Sequence, residues 1–264
     1  MAELTLKQTS RKSRDLNREA SWVYDNFTDR AIGAGPLGNV LPVTTDALCN
    51  VVRTPNSTLY CNNINAQTLM CPTSTGTGLL ISGDLTNTDG FCIGLNEPNQ
   101  ADSKFVFTVG SEPASFFIEA RFTIADVSGV TNCAIGFRKV EVYKAARASM
   151  ADYALAGCFG ALSKSATQVA GGGESLVSTG VATTDGIEIT YRVEVSTDGK
   201  VKFLSSYNPA TSALDTTGAL YELKVSQDYT FTNALAITPV IHVLHAATSP
   251  GLITMQYLKA GYMN

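Results

Sequence analysis

Few residues in this chain could do chemistry. His242 and His245 are its only histidines. On a regular strand a spacing of three sends them to opposite faces, so they do not share a metal. Each is expected to be a packed or rim histidine. Glu188 and Glu194 fall on one face of an alternating stretch, but about 20 Å apart by strand rise. Paired glycosidase carboxylates need ~5–9.5 Å. Glu119 stands alone on its own stretch. Asp84, Asn87 and Asp89 could offer oxygens to calcium, yet the run to Gly90 lacks the terminal glutamate of an EF-hand and reads as an Asx-rich turn. There is no G-x-S-x-G and no serine with an evident base. Cysteines at 49, 61, 71, 92, 133 and 158 never reach the C-x-x-C spacing of zinc or redox sites. All are expected to be reduced and structural, which implies synthesis in a cytoplasm. Asn26-Phe-Thr and Asn56-Ser-Thr match the glycosylation pattern, which has no meaning without a secretory leader, and none is read here. The residues therefore predict no catalytic, cofactor-binding or metal-binding site, and not an enzyme.

The elements that would position such residues are strands. Ile187, Ile189, Tyr191, Val193 and Val195 alternate with Glu188, Thr190, Arg192 and Glu194, the mark of a strand with one dry and one wet face. Ser196-Thr-Asp-Gly199 then predicts a tight reversal into Lys200–Leu204. Ile118, Ala120, Phe122 and Ile124 oppose Glu119, Arg121 and Thr123, and residues 132–140 put Cys133, Ile135 and Phe137 on one face. Strands are also predicted over 47–53, 57–62, 67–71, 78–82, 91–95, 104–109, 153–163, 220–225, 234–245 and 252–262. Asn, Thr, Pro and Gly punctuate them as in a sandwich or jelly roll. A short loop helix is expected over 140–153, and Gly171-Gly172-Gly173 reads as a flexible excursion.

Residues 1–36 differ. Leu16, Ala20, Val23 and Phe27 recur at four, three and four, predicting an amphipathic helix that starts near Ser13 and stops at Gly33-Ala-Gly-Pro36. Between residues 7 and 18, Lys7, Arg11, Lys12, Arg14 and Arg18 face only Asp15. The whole chain nevertheless carries a formal charge of -4, so it has no general nucleic-acid footprint. A basic arm on an acidic body docks on a partner or a neighbouring subunit, and the helix either caps the chain's own sandwich or reaches another subunit. Lys7, Arg11, Lys12, Arg14, Arg18, Trp22 and Phe27 are the candidate partner-binding residues. The chain thus divides into an arm over 1–36 and a β-sandwich over 37–264, with 37–113 as a strand-rich sub-region. An apolar share of 44% supports a substantial core, and 16% charged residues suggests surface covered by neighbours. No apolar run reaches the ~18 residues needed to span a bilayer.

From Ser115 the order of pieces resembles the concanavalin A-like, or laminin-G-like, jelly roll. The resemblance rests on Phe117-Ile-Glu-Ala-Arg-Phe-Thr-Ile124, Ala134-Ile-Gly-Phe137, the strand–turn–strand Tyr191 to Phe203, and a closing pair at 237–244 and 252–258. The glucanase-type carboxylate motif and the metal ligands of legume-type lectins are unmatched. As a whole, the chain resembles tailed-bacteriophage virion proteins, and among them capsid decoration, or cement, proteins. That resemblance implies an all-β antiparallel jelly-roll sandwich with a helix-bearing arm. It also implies a homo-oligomer, a trimer foremost, that binds the major capsid protein or other virion subunits, with no nucleic acid, membrane or cofactor. The virion, assembled in a host cytoplasm, is the implied location. The competing reading is a lectin-like carbohydrate-binding module of a phage tail fibre, baseplate or cell-surface system, with a glycan as ligand.

Overall fold

The computed structural model describes residues 106–141, 144, 146–223, 228–244 and 253–263 in full, and the backbone alone of His245 and of six earlier strands. Those six are β1 (Glu19–Asp25), β2 (Val43–Asp46), β3 (Cys49–Arg53), β4 (Thr58–Cys61), β5 (Leu79–Ile81) and β6 (Gly90–Gly94). There follow β7 (Phe107–Thr108), β8 (Phe116–Ile124), β9 (Val130–Lys139), β10 (Tyr153–Phe159), β11 (Leu162–Gln168) and β12 (Ser175–Ala182). The chain continues through β13 (Glu188–Val195), β14 (Val201–Ser205), β15 (Tyr207–Asn208), β16 (Ala213–Leu214) and β17 (Tyr221–Glu222). It closes with β18 (Ala236–His245) and β19 (Ile253–Met263).

Two antiparallel sheets face each other. The smaller runs β1-β19-β8-β13-β14-β17, with β5 also on β19. The larger runs β12-β11-β10-β9-β18-β6-β4-β3-β2, with β7 also on β18. Alternation dictates what goes between them. Ile118, Ala120 and Phe122 of β8 and Tyr191, Val193 and Val195 of β13 point inward to Ile135 and Phe137 of β9 and Ile241 of β18. Phe107 stacks on Phe116 with centroids 4.2 Å apart, and Phe137 meets Phe116 edge-on at 5.2 Å. Each large side chain removed from water here contributes about 1.5–3 kcal/mol. The fold is the antiparallel jelly-roll sandwich that the alternation foretold.

The predicted hairpin is present. β13 pairs with β14 from Tyr191↔Ser205 to Val195↔Val201, and Gly199 takes the left-handed φ of +86° that the reversal needs. Cys133 and Cys158 are free, buried and directly opposite each other on β9 and β10. At Gly157 a Cβ would lie 2.2 Å from the Cys133 carbonyl oxygen, so the close approach of these strands requires glycine.

Three expectations fail. The stripe Leu16–Ala20–Val23–Phe27 predicted a helix, yet Glu19–Asp25 is strand β1, paired with β19 from Glu19↔Met263 to Asp25↔Leu258. A lone helix gains little in water, whereas the open side of β19 offers a complete ladder. Trp22, Val23 and Tyr24 also suit a strand better than a helix. The loop helix expected over 140–153 reduces, among its described residues, to a single 3-10 turn at Arg147–Ser149, and Tyr153 already belongs to β10. The strand expected over 153–163 is two strands that turn at Gly160, φ +61°, with β11 running back along β10. Strands β2, β12, β15 and β16 were not anticipated. Residues 67–71 and the Asp84–Asp89 turn lie outside the described residues.

Candidate functional site

Charged side chains gather on the outer faces of both sheets. On the larger sheet, Asn132 of β9, Tyr153 and Phe159 of β10 and His242 of β18 alternate with core residues and so face outward. They meet two side chains from connecting segments, Arg147 of the 3-10 turn and Glu174 after the glycine run. The Arg147 guanidinium grips Glu174 through both carboxylate oxygens, via Nε to Oε1 and via Nη2 to Oε2 at 2.9 Å. Its Nη1 donates to Asn132 Oδ1 at 2.9 Å, and Cζ lies 4.8 Å from the Phe159 ring centroid. Tyr153 donates its hydroxyl to Glu174 Oε1 at 2.5 Å. Asn132 Nδ2 lies 2.9 Å from His242 Nδ1 and also donates to the His242 carbonyl at 3.0 Å. Beneath this network sits a second apolar cluster of Ala134, Met150, Tyr153, Leu155, Ala166 and Val240.

Electrostatics fix the charge states. Burial works against ionising Glu174, but hydrogen bonds from Arg147 and Tyr153 and the arginine's charge outweigh it, so its carboxyl sits below the usual range. Burial and the neighbouring Glu174 push the Tyr153 phenol well up. Arg147 is held charged despite burial, because its hydrogen bond and ion pair with Glu174 prevail. The result is an ionised acid, a fixed cation and a neutral phenol. None is poised near neutral pH for proton transfer. What the arrangement does is join the connections 140–152 and 169–174 to the sheet.

On the smaller sheet the pattern follows strand register. Arg192 of β13 reaches Glu119 of β8 at 3.1 Å and Glu194 of its own strand at 2.7 Å, with its guanidinium 3.9 Å from the Phe117 centroid. Tyr257 of β19 donates to Glu119 Oε1 at 2.7 Å, and burial with the adjacent Glu119 pushes its phenol up. Arg121 pairs with Glu188 at 3.3 Å and donates to Thr190 Oγ1 at 3.2 Å.

The carboxylates read from sequence are thus redistributed. Glu119, expected to stand alone, shares one guanidinium with Glu194 because Arg192 lies directly opposite it in the ladder. Glu188 goes to a different arginine. His242 is the packed histidine expected, 1% exposed. The side chain of His245 lies outside the described residues. Of the candidate partner-binding residues, Lys7, Arg11, Lys12, Arg14, Arg18 and Phe27 also lie outside them, and Trp22 is placed by its backbone at the register shift in β1. Arg147, Tyr153, Glu174 and Asn132 were not singled out by sequence. Periodicity says nothing of a cation in an alanine-rich connection or a lone acid after three glycines. Among the described residues, no group of three or more His, Cys, Asp or Glu is placed to hold a metal ion.

No protein-family model matches the chain, and no curated protein matches it. Solved structures do resemble it. One comes from the endo-acting O-glycanases that prominent members of the human gut microbiota express to initiate mucin breakdown. It is 9% identical with a TM-score of 0.50, over 92% of this chain and 100% of that one. The calcium-bound exoplasmic/lumenal domain of VIP36 is 9% identical with a TM-score of 0.48, over 80% of this chain and 85% of that one. The CBM2 module of the evolved Dit of Lactobacillus casei BL23 phage J-1 is 10% identical with a TM-score of 0.40, over 69% and 75%. At such identities the likeness is one of fold, an antiparallel β-sandwich.

Proposed function

We propose that this chain is a binding protein of a tailed-phage virion, a capsid decoration protein that grips the head shell through its N-terminal arm and its sandwich. One observation supports the reading above others: the basic residues 7–18 run directly into β1, which is hydrogen-bonded along the outer side of β19. A cationic segment that continues into a sheet edge is tied to the body at that edge. Its partner would be the major capsid protein or another virion subunit. The paired charges at Arg147 and Arg192 fit a scaffold better than a catalyst, since each carboxylate they hold already has a cation. Purified particles test the reading. The protein should be present at a fixed copy number per head, and its absence from particles would overturn the proposal.

A lectin-like carbohydrate-binding module of a tail fibre, baseplate or cell surface is the second reading. It rests on the sandwich fold shared with the O-glycanase structure at a TM-score of 0.50, and not on the Arg147 cluster, where Phe159 is 7% and Asn132 0% exposed. A glycan array with the purified chain decides it, and uniformly blank spots would remove it.

A further inference from the structure

Besides the short side strands β5 and β7, of three and two residues, four strands end the two large sheets: β1 and β17 the smaller, β12 and β2 the larger. An end strand is a template for pairing, and proteins guard it with charge, proline or shortness. Three of the four are guarded in this way. β1 carries Glu19 and Asp25, β2 carries Asp46, and β17 is two residues long with Glu222 beside Lys202. β12 is the longest of the four, and Ser175-Leu-Val-Ser-Thr-Gly-Val-Ala182 has no charge and no proline.

Two further observations converge there. Among the described residues, the large apolar side chains that are exposed are Val169, at 54%, and Leu176, at 44%. Both sit at this edge, Leu176 on β12 itself and Val169 in the turn leading to it. That turn is also braced. Gly171 N–H donates to the Ala151 carbonyl at 2.7 Å, Ala170 N–H to Asp152 Oδ1 at 2.8 Å, and Glu174 is locked to Arg147 and Tyr153. The edge is therefore held in place before anything binds to it.

We infer that β12 is a self-association edge, taking a second copy of this chain as an antiparallel strand across a two-fold axis. The occupant follows from charge and symmetry. A two-fold contact sets each residue against its own kind or its near neighbours, which penalises any charged strand and leaves a neutral one unopposed. The nearest acid, Glu174, is already neutralised by Arg147. The register follows too. The ladder with β11 shifts between Leu162 and Lys164, opposite the left-handed Gly180, so the regular part of the edge is Ser175–Ser178. A two-fold axis normal to the sheet keeps each side chain on its own face, and centring the pair on Leu176 buries the exposed leucine against its copy. This contact does not depend on the virion reading, which is tested on particles rather than on the purified chain.

Leu176→Cys in the full chain should, on oxidation with diamide, give a two-chain species that a reductant reverses. Thr217→Cys, at an exposed site away from the edge, should not. In sedimentation velocity, Leu176→Lys should weaken self-association by about tenfold or more at unchanged melting temperature. Cross-linking of Leu176→Cys no greater than that of Thr217→Cys overturns the inference. So does a wild-type chain that stays monomeric, or association that Leu176→Lys leaves intact.

Discussion

The two outer faces use the same chemistry, an arginine holding carboxylates over an aromatic ring, for different ends. On the smaller sheet Arg192 ties β8 to β13, strands already joined by a ladder, and its side chain is only 6% exposed. On the larger sheet Arg147 joins two connecting segments that share no ladder, closing them over a second apolar cluster. The first pairing reinforces structure that the backbone has built. The second reinforces a contact that the backbone makes with a single bond, Gly171 N–H to the Ala151 carbonyl. An arginine of the first kind should matter to the whole sandwich, and one of the second kind to a patch of it.

The largest effect should come from Arg192→Ala. It strands Glu119 and Glu194 together and uncovers Phe117, so stability should fall by about 3–5 kcal/mol. At this chain length that is on the order of ten degrees in melting temperature. Arg147→Ala should do less globally, about 2 kcal/mol, because its side chain and that of Glu174 are 13% and 17% exposed. Its signature should be local: hydrogen exchange should rise in 146–151 and 170–174 while β13 stays protected. If exchange rises equally in β13, the contrast between the two faces fails.

A pH series sharpens the contrast. The Glu174 carboxyl is depressed in the folded state, so it binds a proton less readily there than in the unfolded chain. Its stabilisation is complete above the unfolded value, about 4.3, and is lost as pH falls through the lower folded one. Glu174→Gln should flatten the acid limb of the stability curve below about pH 5, with less change at pH 7 than Arg147→Ala causes. An acid limb identical to wild type would remove Glu174 from the account. The smallest effect should be at Arg121→Ala, whose partner Glu188 is half exposed; about 0.5 kcal/mol or less is expected from a denaturant melt.

The same divide explains what could be read from sequence. The β13–β14 hairpin, β8, β18 and β19 follow local alternation and all are present, but β18 and β19, expected as a closing pair, lie in different sheets. β1 was misread because Leu16, Ala20, Val23 and Phe27 happen to fit a helical spacing. Only the far end of the chain, β19, makes that stretch a strand. β11 was missed because Gly160 reads as a weak spot in one strand rather than the turn between two. The carboxylates were judged strand by strand, so the Glu119–Arg192–Glu194 group stayed hidden until register placed Arg192 opposite Glu119. Arg147 and Glu174 are 27 residues apart in loops, where no periodicity operates.

Placing β1 within the sheet also redraws the arm, since Glu19–Asp25 belongs to the sandwich. The decisive measurement is co-sedimentation with phage heads of the intact chain and of a chain lacking residues 1–18, each with its melting temperature. The account predicts that the intact chain pellets with heads, while the shortened one stays in the supernatant and melts at the same temperature. Equal pelleting of the two would contradict it.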